Sequence, residues 1–176
     1  MKKSIYNLLI IVLLGTWSCG IKRASSGSAA GPTKIFSKGA DTLLCFAGPL
    51  EYESLNNRDQ LSIDHTYLKV KGKSNPVTCA FSLISTDTRF IPESIVVSTE
   101  TGSDTITSFD KYFAEGYDKK RYHYRYAFMV SDSLFYRWMQ SSQPVITLND
   151  RRFSGGKKFR KTSEVVFRKI LFDLYN

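Results

Sequence analysis

The groups best able to do chemistry are few here: three cysteines (Cys19, Cys45, Cys79), two histidines (His65, His123) and sixteen carboxylates spread along the chain. Covalent or acid/base catalysis needs such groups in pairs, and the spacing supplies few. Asp64 and His65 are adjacent, which in an extended strand sends their side chains to opposite faces. Glu51 and Glu53 share a face at strand spacing and suit paired acid/base work, a pattern equally at home on a solvated face. There is no G-x-S-x-G elbow, and Gly155-Gly156-Lys157-Lys158 lacks the Walker spacing and reads as a hairpin turn. Cys45 and Cys79 form no C-x-x-C pair and the histidines supply no neighbouring ligand pattern, so no metal and no cofactor is expected.

The cations are better organised. Residues 151–161 hold Arg151, Arg152, Lys157, Lys158, Arg160 and Lys161 without an acid, and residues 118–125 hold Lys119, Lys120, Arg121 and Arg125 against Asp118. The first group is a candidate surface for phosphate-bearing lipid headgroups, lipopolysaccharide cores or an acidic envelope protein. The same cations also suit a solubilised turn that guards a sheet edge.

The elements that must position these groups are those of one domain: 176 residues, 42% hydrophobic, 23% charged and 14% aromatic, is a globular composition. Period-two patterning predicts strands at 42–46, 66–71, 77–85, 94–99, 104–109 and 121–131. The last is the clearest, with Tyr122, Tyr124, Tyr126, Phe128 and Val130 on one face; this stripe reads as a packing surface rather than a carbohydrate platform. Ser131 then suits an N-cap, Asp132 complements the helix dipole, and Leu134, Phe135, Trp138 and Met139 recur at helical spacing. A strand at 145–148, a turn at Asn149-Asp150 and a final helix follow, the last capped by Thr162 or Ser163 with Val166, Phe167, Ile170, Leu171 and Leu174 as its apolar stripe. The expected architecture is α+β: a predominantly antiparallel sheet with two helices in the C-terminal third packed on it.

The N-terminus has its own logic. Lys2 and Lys3 precede an apolar run from Leu8 to Leu14, too short to cross about 30 Å of hydrocarbon, so the segment reads as a secretory signal. Its end, Leu13-Leu14-Gly15-Thr16-Trp17-Ser18-Cys19, resembles the lipobox of bacterial lipoproteins, in the looser form seen in Bacteroidota; Trp17 departs from the commonest pattern. The resemblance implies cleavage before Cys19 and acylation of that cysteine, which anchors the chain in a membrane. Residues 1–18 are then signal peptide, 19–40 a lipidated cysteine and flexible Gly/Ser-rich tether, and 41–176 a single domain. Gly20 resembles outer-membrane sorting, and the acidic run of surface-exported lipoproteins is missing from Gly20-Ile21-Lys22-Arg23, so an outer-membrane position facing the periplasm is expected.

That address changes the meaning of the other residues. A net charge of +9 would ordinarily suggest nucleic acid, but an exported chain does not meet it; two of the charges, Lys2 and Lys3, leave with the signal. With Cys19 acylated, Cys45 and Cys79 are left as an even pair, a candidate disulfide in an oxidising compartment or else two buried thiols. The sequence therefore reads as a lipid-anchored envelope protein that binds or scaffolds and does no catalysis. The alternative is an inhibitor or immunity-like protein against an envelope-acting enzyme or toxin, with a hydrolase third.

Overall fold

The computed structural model describes residues 33–37, 42–56, 58–70, 73, 75–156, 159 and 161–165. They form strands β1 (Thr33–Ser37), β2 (Thr42–Ser54), β3 (Gln60–Val70), β4 (Val77–Ser85), β5 (Ile95–Thr99), β6 (Gly102–Ile106), β7 (Asp110–Gly116) and β8 (Tyr122–Val130). Helix α1 (Asp132–Gln140) and strands β9 (Val145–Leu148) and β10 (Arg151–Ser154) follow. Residues 159 and 161–165 are helical. The fold is α+β and dominated by one antiparallel sheet in the order β6-β5-β9-β10-β2-β3-β4-β8-β7, with β1 beside β2.

Alternation along the strands decides which face is buried. In β8, Tyr124, Tyr126, Phe128 and Val130 point inward, while Arg125 points outward and donates to Asp64 of β3 and Ser82 of β4, both at 2.7 Å. In β3 the inward set is Leu61, Ile63, His65 and Tyr67; in β4 it is Val77, Cys79, Phe81 and Leu83. The aromatic stripe is core, as its spacing predicts: Phe81 stacks on Tyr126 and meets Phe128 edge-on to Phe109.

Connectivity forces the sheet to curl. β6 and β7 stand at opposite ends of the strand order yet are joined by residues 107–109 alone. Nine flat strands would hold them about 38 Å apart. The chain from Ile106 to Asp110 can span only about 15 Å. The sheet therefore wraps around its buried face, and side chains from both halves, Ile95, Val97, Ile146 and Phe153 with Tyr52, Leu61 and Leu83, make one core.

Helix α1 helps fill that interior. Ser131 caps it through a hydroxyl that accepts from the Leu134 N–H at 3.2 Å, and Leu134, Phe135, Trp138 and Met139 form the buried stripe. Trp138 is fully buried and its indole N–H donates to the Tyr52 hydroxyl at 3.1 Å, tying α1 to β2. Beyond the helix, Glu100 from the β5–β6 turn accepts from the Ser142 N–H and hydroxyl, and the neighbouring Ser141 and Ser142 hold its carboxyl down at about 2. The β9–β10 turn places Asn149 in the left-handed region (φ 54°), where its side-chain oxygen takes the Glu93 N–H at 2.8 Å and fixes the loop entering β5.

The elements depart from expectation where pattern is weak. β1 lies within the segment expected to be tether, so the folded body starts no later than Thr33. β2 runs on to Ser54 through a bulge at Gly48-Pro49, and β3 begins at Gln60 rather than near Thr66. β7, which carries no predicted strand, has only one partly buried side chain, Phe113. Phe159 and Lys161 are already helical, so Thr162 and Ser163 lie inside the final helix rather than capping it. Its stripe from Val166 to Leu174 lies outside the described residues.

Candidate functional site

Cys45 and Cys79 are both buried and not bonded to each other, which corrects the disulfide expectation. They sit on β2 and β4 with β3 between, in register through Tyr67 and His65 respectively. Two strand spacings put their backbones about 10 Å apart, beyond the roughly 7 Å a disulfide spans. Burial pushes the Cys79 thiol well above its ordinary range, so it is not readily ionised.

His65 and Asp64 point to opposite faces. His65 is 1% exposed, packed between Phe135 and Trp138 with ring centroids at 5.3 and 5.2 Å, and neither ring nitrogen has a hydrogen-bond partner among the described residues. Desolvation lowers its pKa to about 3, so it is neutral. His123 lies on the outer face with the Phe113 ring at 4.9 Å and Glu115 at 3.9 Å.

The outer face of β2, β3 and β4 carries an open groove of about 650 Å³, with Glu51, Glu53, Asp59, Ser62 and Ser82 among its walls. Glu51 and Glu53 are exposed and share this face, as their spacing predicts. The Glu53 carboxylate lies so close to Gly156 that a Cβ there would overlap it. The groove presents carboxylates and hydroxyls, able to accept from a hydroxylated or cationic group.

The basic segment does not act as one surface. Arg151 points inward at 16% side-chain exposure, donating to Asp59 and Ser85 at 2.7 and 2.8 Å and to Asp87 at 2.8 Å, with its guanidinium 5.0 Å from the Phe90 ring centre. It is an internal clasp, not a cation open to an anionic partner. Arg152 and Lys161 are exposed. The side chains of Lys157, Lys158 and Arg160, and the acylation candidate Cys19, lie outside the described residues. Asp59 and Asp87 were not legible as partners of Arg151, being 92 and 64 residues away in the chain.

Taken together, fold and surface define an antiparallel α+β protein with a helix packed inside a curled sheet. Comparison with protein families, with curated proteins and with solved structures gives no match.

Proposed function

We propose that this chain is a lipid-anchored bacterial envelope protein, held through acylated Cys19 in the outer membrane and facing the periplasm, whose folded body binds or scaffolds. The observation that carries the binding role is where the chemically capable side chains went. Cys45, Cys79 and His65 are each at most 1% exposed and are spent on packing the core. Among the groups that face solvent are the carboxylates Glu51 and Glu53 of the groove and the cations Arg152 and Lys161.

The body also begins close to the anchor. β1 starts 14 residues after Cys19, and a Gly/Ser-rich coil of that length reaches about 20 Å. Partners of this reading are the membrane itself and, through Arg152, Lys157, Lys158, Arg160 and Lys161, anionic headgroups or an acidic envelope protein. Radiolabelled palmitate should enter the wild-type chain and be lost from Cys19→Ser; label that persists in the variant refutes the anchor.

A further inference from the structure

The register of the sheet gathers cations that are remote in sequence. Gln60 pairs with Ile84, Ile84 with His123 and His123 with Glu115, forming one row across β3, β4, β8 and β7. Arg58, Thr86, Arg121 and Tyr117 each lie two residues beyond that row, so three connections converge at one end of the sheet. There they border an open hollow of about 570 Å³ walled mostly by side-chain stems of Arg58, Thr86, Asp118, Lys119, Lys120 and Arg121.

The loop between β7 and β8 is shaped before any ligand arrives. Asp118 accepts the N–H groups of Lys120 and Arg121 at 2.9 Å and the Arg121 guanidinium at 2.7 Å, contacts that hold its carboxyl below the usual range. Tyr117 donates its N–H to the Arg121 carbonyl at 2.9 Å, and the Arg121 guanidinium lies 5.1 Å from the Tyr117 ring centre. Asp118, the one acid of the hollow among the described residues, is thus engaged in closing the turn. Arg58, Lys119 and Lys120 have no acidic partner among the described residues, and the turn does not need them for its own closure.

Cations outnumber acids around this hollow. Arg58 is a shared wall, with the carboxylate groove of Glu51, Glu53 and Asp59 on one side and the cationic hollow on the other. Three cations and a hydroxyl around one hollow beside a fixed turn match a compact phosphate oxyanion: the arginine offers a planar fork, the lysines point charges and Thr86 a neutral donor.

We propose that this hollow is a binding site for a phosphate group, carried by a lipid headgroup or by a soluble phosphate ester. The site goes beyond the anchor reading and does not depend on Cys19.

The test is calorimetric titration of the full chain in a non-ionic detergent with three probes: inorganic phosphate, glycerol 3-phosphate and short-chain phosphatidylglycerol. Binding should weaken at least about tenfold, or about 1.4 kcal/mol, in the triple variant Arg58→Gln, Lys119→Gln, Lys120→Gln. Lys111→Gln, on the exposed part of β7, should leave it unchanged. All three substituted side chains are exposed, so the unfolding midpoint should stay in place and certify the fold. Dependence on the three cations with glycerol 3-phosphate assigns the site to phosphate esters generally; the same dependence with phosphatidylglycerol alone assigns it to lipid. A wild type that binds none of the probes, or a triple variant that binds them all as tightly, overturns the proposal.

Discussion

Replacing Arg151 by methionine tests whether the clasp on β10 is internal. The substitution keeps the length of the stem but removes the fork that holds Asp59 and Asp87 together. The Asp59 side chain is 8% exposed and the Asp87 side chain 38%, so the two halves carry unequal weight. A partner removed from a buried pair costs about 3–5 kcal/mol, because the remaining charge is stranded. An exposed pair is worth about 0–1 kcal/mol. With Asp59 near the first limit and Asp87 near the second, and the contact with Phe90 lost, Arg151→Met should destabilise the fold by about 3 kcal/mol. At a denaturant slope of about 2 kcal/mol/M this moves the urea midpoint down by about 1.5 M. Trp138, buried against Tyr52, supplies the fluorescence signal. Adding Asp59→Asn to Arg151→Met should cost less than the two single effects together, since the stranded carboxylate is then gone. A loss below about 1 kcal/mol for Arg151→Met, or strict additivity in the double variant, would refute the clasp and return Arg151 to the pool of binding cations.

Two further outcomes follow from the core. His65 is neutral in the fold at a pKa of about 3 and takes a proton near its ordinary 6.5 once unfolded, so between these values the unfolded chain binds more protons. Its contribution is intact above pH 6.5 and is lost as pH falls, about 2 kcal/mol by pH 5; in His65→Leu the stability difference between pH 7 and pH 5 should shrink by that amount, and an unchanged difference would show that the imidazole is not sealed. For Cys45 and Cys79, a thiol-specific reagent should leave both unmodified in the native chain and titrate both after denaturation, with no mass change on reduction; a two-hydrogen gain on reduction would mean that they are bonded.

Legibility in the sequence tracked how much of each element's stability comes from its own side chains. β8 and α1 were readable because Tyr124, Tyr126 and Phe128, or Leu134, Phe135 and Trp138, repeat at the period of the structure that buries them. β7 was not, because Asp110–Gly116 is held by its ladder to β8 and buries almost nothing. β2 was cut short in the reading because the bulge between Ala47 and Leu50 resets its alternation, so Leu50 and Tyr52 fall out of phase with Cys45. The site residues failed for a different reason. Two cysteines in predicted strands do not reveal that β3 lies between them, and a run of cations does not reveal that one member turns inward to carboxylates from two distant loops.

The place of β9 and β10 in the strand order has a consequence for when the fold can be completed. The hairpin β5–β6 and the five-stranded set β2-β3-β4-β8-β7 touch as a sheet only through β9 and β10, which stand between them. Any chain delivered N-terminus first, from a ribosome or through a membrane pore, exposes the bare edges of β5 and of the later half of β2 until residue 154 has emerged. Leu148 and Phe153 must then enter a core whose walls from β2 to α1 are already synthesised, with Phe159 still to follow. Closure of the sheet is thus a late act of assembly, and a chain ending before Val145 would leave two sheets without a shared ladder, joined only by side-chain contacts such as Arg137 to Asp104 and by covalent linkage.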